Sequence, residues 1–382
     1  MPTSDTAPGR HAPSNDDETA FRAALAAASA WPAARRRRLD QLAGARRVLV
    51  YSYGKRGKEL ALQLRALGVA CVVFDNAPAQ RARAQADGFE TAPRLPRDLP
   101  VIVAAGQNQL EILPTAGPGA VGLHEALYAF DLRNSFGQAR AFTDGLAGMT
   151  DALYRLHRRL DADSRQAFLD LLLFRASLYV SHIAATRRPM GEMWAPPVVC
   201  RSHIRSFCDV GAYDGDTLAS IKGWCPRLER TFTIEPNGEL AAPIARIAEA
   251  EGLSNTAYVG AAWSRRARLR VERICDDMFS VTEAEDGSVE ADALDALVGE
   301  TVYDYVKFDV ESTEASALAG AGRTLRASRC LSVAAYHLPG DIVAVPEQLQ
   351  AILQGDDRWR FAFSHFSQSF EDSIVYAYRP AD

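Results

Sequence analysis

No cysteine pair in the 382-residue chain has the C-x-x-C spacing of a zinc or redox site: Cys71, Cys200, Cys208, Cys225, Cys275 and Cys330 are scattered, several inside apolar, strand-like runs. That pattern excludes a disulfide framework and a structural zinc, and the thiols read as reduced core residues of a cytoplasmic protein. A basic surplus is also missing. The 43 Lys and Arg are outnumbered by 48 Asp and Glu, leaving a net charge of −5, so there is no electrostatic pull toward nucleic acid or an anionic membrane. No apolar run approaches the length of a bilayer span, since the Ala-rich stretch from Phe21 to Ala34 is broken by Pro32. The opening MPTSDTAPGRHAPSNDDE lacks the basic and apolar regions of a secretion signal, and its acids argue against a transit peptide. Residues 1–20 are expected as a disordered tail, and RRRR at Arg35 to Arg38 as a solvated helix face. No period of about 20 to 50 residues repeats, which excludes a solenoid.

The length itself points to two domains. In RRVLVYSYGKRGKELALQLRALGVACVVFDNAP, β-rich runs at Val48 to Tyr51 and Ala70 to Phe74 flank a segment with helical apolar spacing, which makes a βαβ unit. Further runs at 99–106 and 119–127 fit additional strands. Residues 21–130 are therefore expected as a Rossmann-like, nucleotide-binding-like domain. Residues 131–190, with apolar residues at three- and four-residue steps and Asp163 or Ser164 as a helix cap, are expected as a helical connector. Ser52-x-Gly54-x-x-Gly57 followed by Asp75 is a degraded dinucleotide fingerprint, and Lys55, Arg56 and Lys58 could meet a phosphate at the helix start. That leaves a nucleotide, a nucleotide-sugar or NAD as its ligand, or a purely structural module.

From Ser206 onward, strand and helix signals alternate again in FCDVGA, TFTIEP, TAYVGAAW, DYVKFDV and CLSVAAYH, and the chain closes with RFAFSHFSQSFEDSIVYAYR, two alternating runs around a polar turn. Parallel strands followed by a terminal antiparallel hairpin give an α/β, doubly wound, class I methyltransferase arrangement for residues 191–382. FCDVGAYDGDTL places two glycines and three acids at a strand end, where open α/β sheets bind ligands. Asp209, Asp214 and Asp216 would repel a pyrophosphate but suit a ligand carrying a sulfonium and an ammonium, S-adenosylmethionine. Glu235 ends the next strand in TIEPN and can accept from both ribose hydroxyls. The plainer reading makes these aspartates turn and cap residues.

DVGAYDGDTL, TIEPN, DYVKFDVESTEASALAGA, SVAAYHLPGD and SHFSQSFEDSIVYA resemble, in order, the motifs of the FkbM-type S-adenosylmethionine-dependent methyltransferases over residues 160–382. The resemblance implies S-adenosylmethionine contacts from Asp209, Gly211, Ala212, Tyr213, Asp214, Gly215, Asp216, Glu235, Pro236 and Asn237. It implies methyl transfer, usually to oxygen, on a small-molecule or carbohydrate acceptor such as a sugar or glycan precursor. Where the family usually has Glu-Gly-Ala-Glu, this chain has Glu311-Ser312-Thr313-Glu314, which removes a glycine from the acceptor side. Asp309, Glu311 and His337 are the catalytic candidates, at the ends of the fourth and fifth strands of this unit; His365 is a weaker one whose aromatic neighbours suggest packing. Asp309, Glu311 and Glu314 could supply oxygen to a cation, but acids also simply start helices, so no metal is predicted. The rivals are an NAD-dependent oxidoreductase working from the first unit and a catalytically inactive S-adenosylmethionine-binding or scaffold protein.

Overall fold

The computed structural model describes residues 15–96, 98–275 and 278–380. In the first unit, β1 (Arg47–Tyr51), β2 (Ala70–Phe74), β3 (Glu90–Thr91), β4 (Val101–Val103) and β5 (Val121–Gly122) form one sheet in the order β3-β2-β1-β4-β5. Every pairing in it is parallel. The run at 119–127 gives less strand than expected. Only Val121 and Gly122 pair, because Glu125 reaches back to the Gly122 N–H at 3.0 Å and starts the helix Leu123–Ala129 there.

The second unit is built from β6 (Ser206–Val210), β7 (Arg230–Glu235), β8 (Ser254–Val259), β9 (Ala261–Trp263), β10 (Ala267–Cys275), β11 (Met278–Glu283), β12 (Val289–Ala293), β13 (Tyr305–Phe308), β14 (Cys330–Ala334), β15 (Arg360–His365) and β16 (Ser373–Tyr378). Seven of these form the expected sheet, β15-β16-β14-β13-β6-β7-β8, with β16 antiparallel to both neighbours and the other pairings parallel. Along β6, Phe207 enters one apolar cluster while Cys208 and Val210 enter another. Both faces of the strand are thus covered, which explains its unbroken apolar sequence. TAYVGAAW, expected as one strand, is two. A Cβ on Gly260 would lie 2.6 Å from the Glu290 carbonyl and 2.5 Å from the Tyr258 ring, so the chain turns there and β9 joins a separate four-stranded sheet, β11-β10-β12-β9.

Much of the segment expected as a connector packs into the second unit's core, while Leu132 and Ala139 join the first unit's cluster. The helix Ala162–Ser177 is capped by Asp161, whose side chain accepts from Ser164 N at 2.8 Å, rather than by Asp163 or Ser164. Its Phe168, Leu171, Leu172 and Phe174 are fully buried in the cluster that holds Val210, Phe308 and Val333. Each such side chain contributes about 1.5–3 kcal/mol by leaving water, enough together to fix the helix against the sheet. The helix Asn15–Ser29 begins inside the segment expected as a tail, and its Phe21 and Leu25 join the same cluster; residues 1–14 lie outside the described residues.

The two units are tied by buried polar contacts. Arg35, expected on a solvated face, is 2% exposed, 3.1 Å from Glu125 and stacked on Tyr179 at 3.7 Å. A buried guanidinium needs both a counter-charge and a flat partner, and it has one from each unit. The tip between β15 and β16, expected as a polar turn, is buried, with Gln368 bonded to Gln109 and Leu110 of the first unit and Phe370 packed on its His124 at 4.1 Å. Among the described residues no helix is long and apolar enough to cross a membrane, and Cys71, Cys200, Cys208, Cys225 and Cys330 are free and buried.

Candidate active site

The carboxyl edge of the seven-stranded sheet carries the predicted loop after β6. Gly211 has φ +87°, and a Cβ there would lie 1.8 Å from the Asp309 carbonyl oxygen, so only glycine lets the loop after β6 cross the end of β13. Gly211 N and Ala212 N both donate to Ile234 O at 3.0 Å, which pins the loop to β7. Ala212 is buried, whereas Tyr213, Asp214 and Asp216 are exposed at the mouth. Asp214 Oδ1 accepts from Asp216 N at 3.2 Å, and Gly215, also left-handed at φ +88°, precedes the helix Asp216–Trp224.

Glu235 closes β7 beside this loop. Its Oε2 accepts from Tyr213 N at 3.0 Å and its Oε1 from Asn237 N at 2.8 Å, while Pro236 and Asn237 are exposed beyond it. Burial raises the Glu235 carboxyl, and those two backbone N–H groups oppose the rise. An ionised carboxylate has about four acceptor sites. Two are used, so capacity remains for a vicinal diol.

Asp209 differs from the expectation of a direct cofactor contact. It is fully buried, and Lys307, its register partner across β6 and β13, donates to Asp209 Oδ1 and to Gly211 O, each at 2.8 Å. Burial pushes the Asp209 carboxyl up while Lys307 pulls it back; on the ammonium, Asp209 and Asp309 outweigh burial and raise it. The 2.8 Å contacts and the raised ammonium place an ion pair under the loop, and Asp209 therefore acts through Lys307 on the loop backbone. Lys307 was not foreseen as a site residue, although a lysine inside the apolar run YVKF signals a buried counter-charge.

The acceptor side forms where β13 and β14 end. Asp309 Oδ1 lies 3.4 Å from both the Tyr336 hydroxyl and His337 Nε2. Glu311 Oε2 is 3.7 Å from the same nitrogen, and Glu314 Oε1 is 2.8 Å from His337 Nδ1 but off the line of an N–H hydrogen bond. Glu314 Oε1 also accepts from Val310 N at 3.0 Å. Burial opposes charge on both partners, yet Glu314, Asp309 and Glu311 push His337 up to about 10, and His337 with the Val310 N–H holds Glu314 below the usual carboxylate range. His337 is completely buried, so it cannot touch an acceptor directly and positions the carboxylates instead. Phe136, from the expected connector, packs on His337 at 4.6 Å, so that segment reaches the site. Ser312 keeps the left-handed backbone its missing glycine would favour, φ +79°, after Glu311 at φ +51°. His365 is buried, with Nδ1 2.9 Å from Ser373 Oγ, and burial lowers it to about 3; it is a neutral packing residue.

In the first unit the strand-order reversal lies between β1 and β4, where a dinucleotide would sit. The chain fills that place itself. Arg56, after β1, pairs with Glu371 and Ser135, and Gln109 and Leu110, after β4, bond Gln368 O and Oε1 at 2.9 and 2.8 Å. Lys58 is taken by Asp87 at 2.8 Å, and both oxygens of Asp75 accept backbone N–H groups, from Tyr53 and Ala77, at 2.8 Å. The hairpin tip thus stands where the NAD or nucleotide-sugar of the sequence reading would bind. A cleft of about 290 Å³ remains between the units beside that pair, lined by Arg56, Gln63, His124, Asn134 and Glu371.

Against solved structures, the chain aligns over 94% of its length with 98% of methyltransferase FkbM from Methylobacillus flagellatus KT, at 18% identity and a TM-score of 0.71. The chain has the two-unit fold of an FkbM-type methyltransferase. At 94% coverage the alignment reaches beyond residues 160–382, where the ordered motifs lie, into the preceding parallel unit. A putative O-methyltransferase from Klebsiella pneumoniae aligns with 64% of this chain and 99% of its own at 14% identity and a TM-score of 0.31. Aeropyrum pernix fibrillarin with natively bound S-adenosyl-L-methionine aligns with 47% of this chain and 67% of its own, at 13% identity and a TM-score of 0.30. Neither overlap bears on this chain's chemistry. No protein-family model matches the chain, and no curated protein does.

Proposed function

We propose that the protein is an S-adenosylmethionine-dependent methyltransferase acting on a hydroxyl of a small-molecule or carbohydrate acceptor. The observation that carries this reading is Glu235, whose carboxylate faces the loop after β6 with half its acceptor capacity left, beside a backbone that tolerates no Cβ at Gly211. Glu235 would hold the ribose diol. The backbone from Gly211 to Gly215 would approach the rest of the cofactor, with Asp214 and Asp216 supplying negative charge toward its cationic groups. When bound, that cofactor supplies a methyl group that passes to an acceptor lone pair while the carbon–sulfur electron pair stays on sulfur.

Asp309 and Glu311 are 21% and 46% exposed at the side chain, the accessible carboxylates beside the loop, and are assigned to take up the acceptor's proton. Lys307 fixes the Gly211 carbonyl, and His337, behind the acids, fixes their direction. Orientation of this kind supplies much of the acceleration in a displacement that needs in-line approach. Calorimetric titration of S-adenosylhomocysteine into the full chain tests the reading. Saturable binding to the wild type that weakens at least tenfold in Glu235→Ala supports it, and no binding to the wild type removes it.

A further inference from the structure

Three side chains meet beyond the ends of β13 and β14 in a way the cofactor loop does not require. Asp309 follows β13, Glu314 opens the helix Glu314–Ala319 and His337 follows β14; one donor atom from each lies within 4.8 Å of the other two. Glu314 and His337 are 1% and 0% exposed. Glu314 Oε2 has no hydrogen-bond partner, and His337 Nε2 faces Asp309 Oδ1 at 3.4 Å without making a hydrogen bond. Buried polar atoms are nearly always satisfied. Three buried polar atoms without a hydrogen-bond partner, Glu314 Oε2 and both ring nitrogens of His337, in one cluster with carboxylates at each of those nitrogens, mark the place of a cation. The acids alone are explained by helix starts; the imidazole brought in from the next strand is what that explanation leaves out.

We propose that Asp309, Glu314 and His337 bind a divalent first-row transition metal ion. Two carboxylate oxygens and one imidazole nitrogen suit Mn²⁺, Fe²⁺ or Zn²⁺ better than Ca²⁺ or Mg²⁺, which favour oxygen throughout. Three protein donors leave coordination positions open, and the Asp309 and Glu311 side chains, 21% and 46% exposed, keep the cluster within reach of solvent. An acceptor hydroxyl taken as a further ligand would have its pKa lowered. Its proton would pass to Glu311, its lone pair would form the bond to the methyl carbon, and the carbon–sulfur pair would return to sulfur. This catalytic role rests on the methyl-transfer reading; binding of the cation does not.

The test uses the full chain, stripped with a chelator, dialysed and titrated with Mn²⁺ while free Mn²⁺ is followed by electron paramagnetic resonance. One Mn²⁺ per chain is expected, with affinity falling at least tenfold in Asp309→Asn and in Glu314→Gln, and unchanged in the remote control Glu249→Gln. Pulsed measurements on the wild type should show nitrogen hyperfine coupling from a bound imidazole, a readout that needs no variant. No uptake of Mn²⁺, Fe²⁺ or Zn²⁺ by the wild type, uptake without nitrogen coupling, or equal affinity in both site variants would overturn the proposal. Titrating S-adenosylhomocysteine into the same metal-free protein separates the two readings. Binding there without metal uptake removes the metal site alone, and metal uptake without such binding removes the methyl-donor reading alone.

Discussion

The Lys307 ammonium stands 2.8 Å from Asp209 Oδ1 and 2.8 Å from the Gly211 carbonyl, so one buried cation joins two neighbouring strands to the loop that follows them. Removing only the cation leaves a buried carboxylate without a partner, which costs about 3–5 kcal/mol. Lys307→Met is therefore expected to lose stability on that scale in urea unfolding, and Asp209→Asn combined with Lys307→Met to recover part of it. Equal loss in the single and double variants would contradict the pairing.

Ser312 holds φ +79° without being glycine. Left-handed backbone costs an ordinary residue about 1–2 kcal/mol, and glycine's greater freedom in the unfolded chain returns about half of that. Ser312→Gly is expected to raise stability by roughly 0.5–1 kcal/mol, and Ser312→Val to lower it. Thermal unfolding of the two variants beside the wild type gives both signs.

Gly211→Ala places a methyl group against the Asp309 carbonyl. The expected result is a loop displaced from β13 and loss of S-adenosylhomocysteine binding by more than tenfold, with the seven-stranded sheet retained by circular dichroism. Binding at the wild-type level would mean that the loop does not need its close approach.

His124 packs on Phe370 of the hairpin tip at 4.1 Å, the rings tilted by 39°, and His365 lies in the same hairpin. Burial lowers each to about 3, helped for His124 by Arg56 and for His365 by Arg175. An unfolded histidine titrates near 6.5, so below that pH the unfolded chain binds more protons than the folded one. Stability is then present above about pH 6.5 and is lost as pH falls toward 3, by about 1.4 kcal/mol per pH unit for each group. Melting temperatures from pH 7.5 to 4.5 should fall less steeply in His124→Phe, which keeps a ring against Phe370.

The first unit is expected to bind no dinucleotide, because the hairpin tip occupies the crevice through Arg56, Gln109 and Gln368. NADH fluorescence should not change on titration with the protein. An enhancement that disappears in Asp75→Ala would restore the oxidoreductase reading.

Much of the fold is legible in the sequence because parallel strands buried on both faces write continuous apolar runs, as in FCDV and YVKF, and because the closing hairpin writes alternation. Gly211, Gly215 and Glu235 are legible because loop shape and strand-end chemistry are local. What depends on packing between distant segments is not. Asp209 looks like a ligand contact until Lys307 is placed beside it, and the tip SQSFED looks solvated until the first unit covers it. Arg35 looks like part of a charged face until Glu125 and Tyr179 enclose it. Glu314 and His337, 23 positions apart in the chain, meet only because β13 and β14 are neighbours.

The most direct measurement is a crystal structure of the full chain with S-adenosylhomocysteine. The account requires the ligand at the carboxyl edge of the seven-stranded sheet, its ribose hydroxyls on Glu235 and its sulfur facing Asp309. Ligand density lodged in the first unit, or a Glu235 carboxylate that touches no part of the ligand, would contradict it.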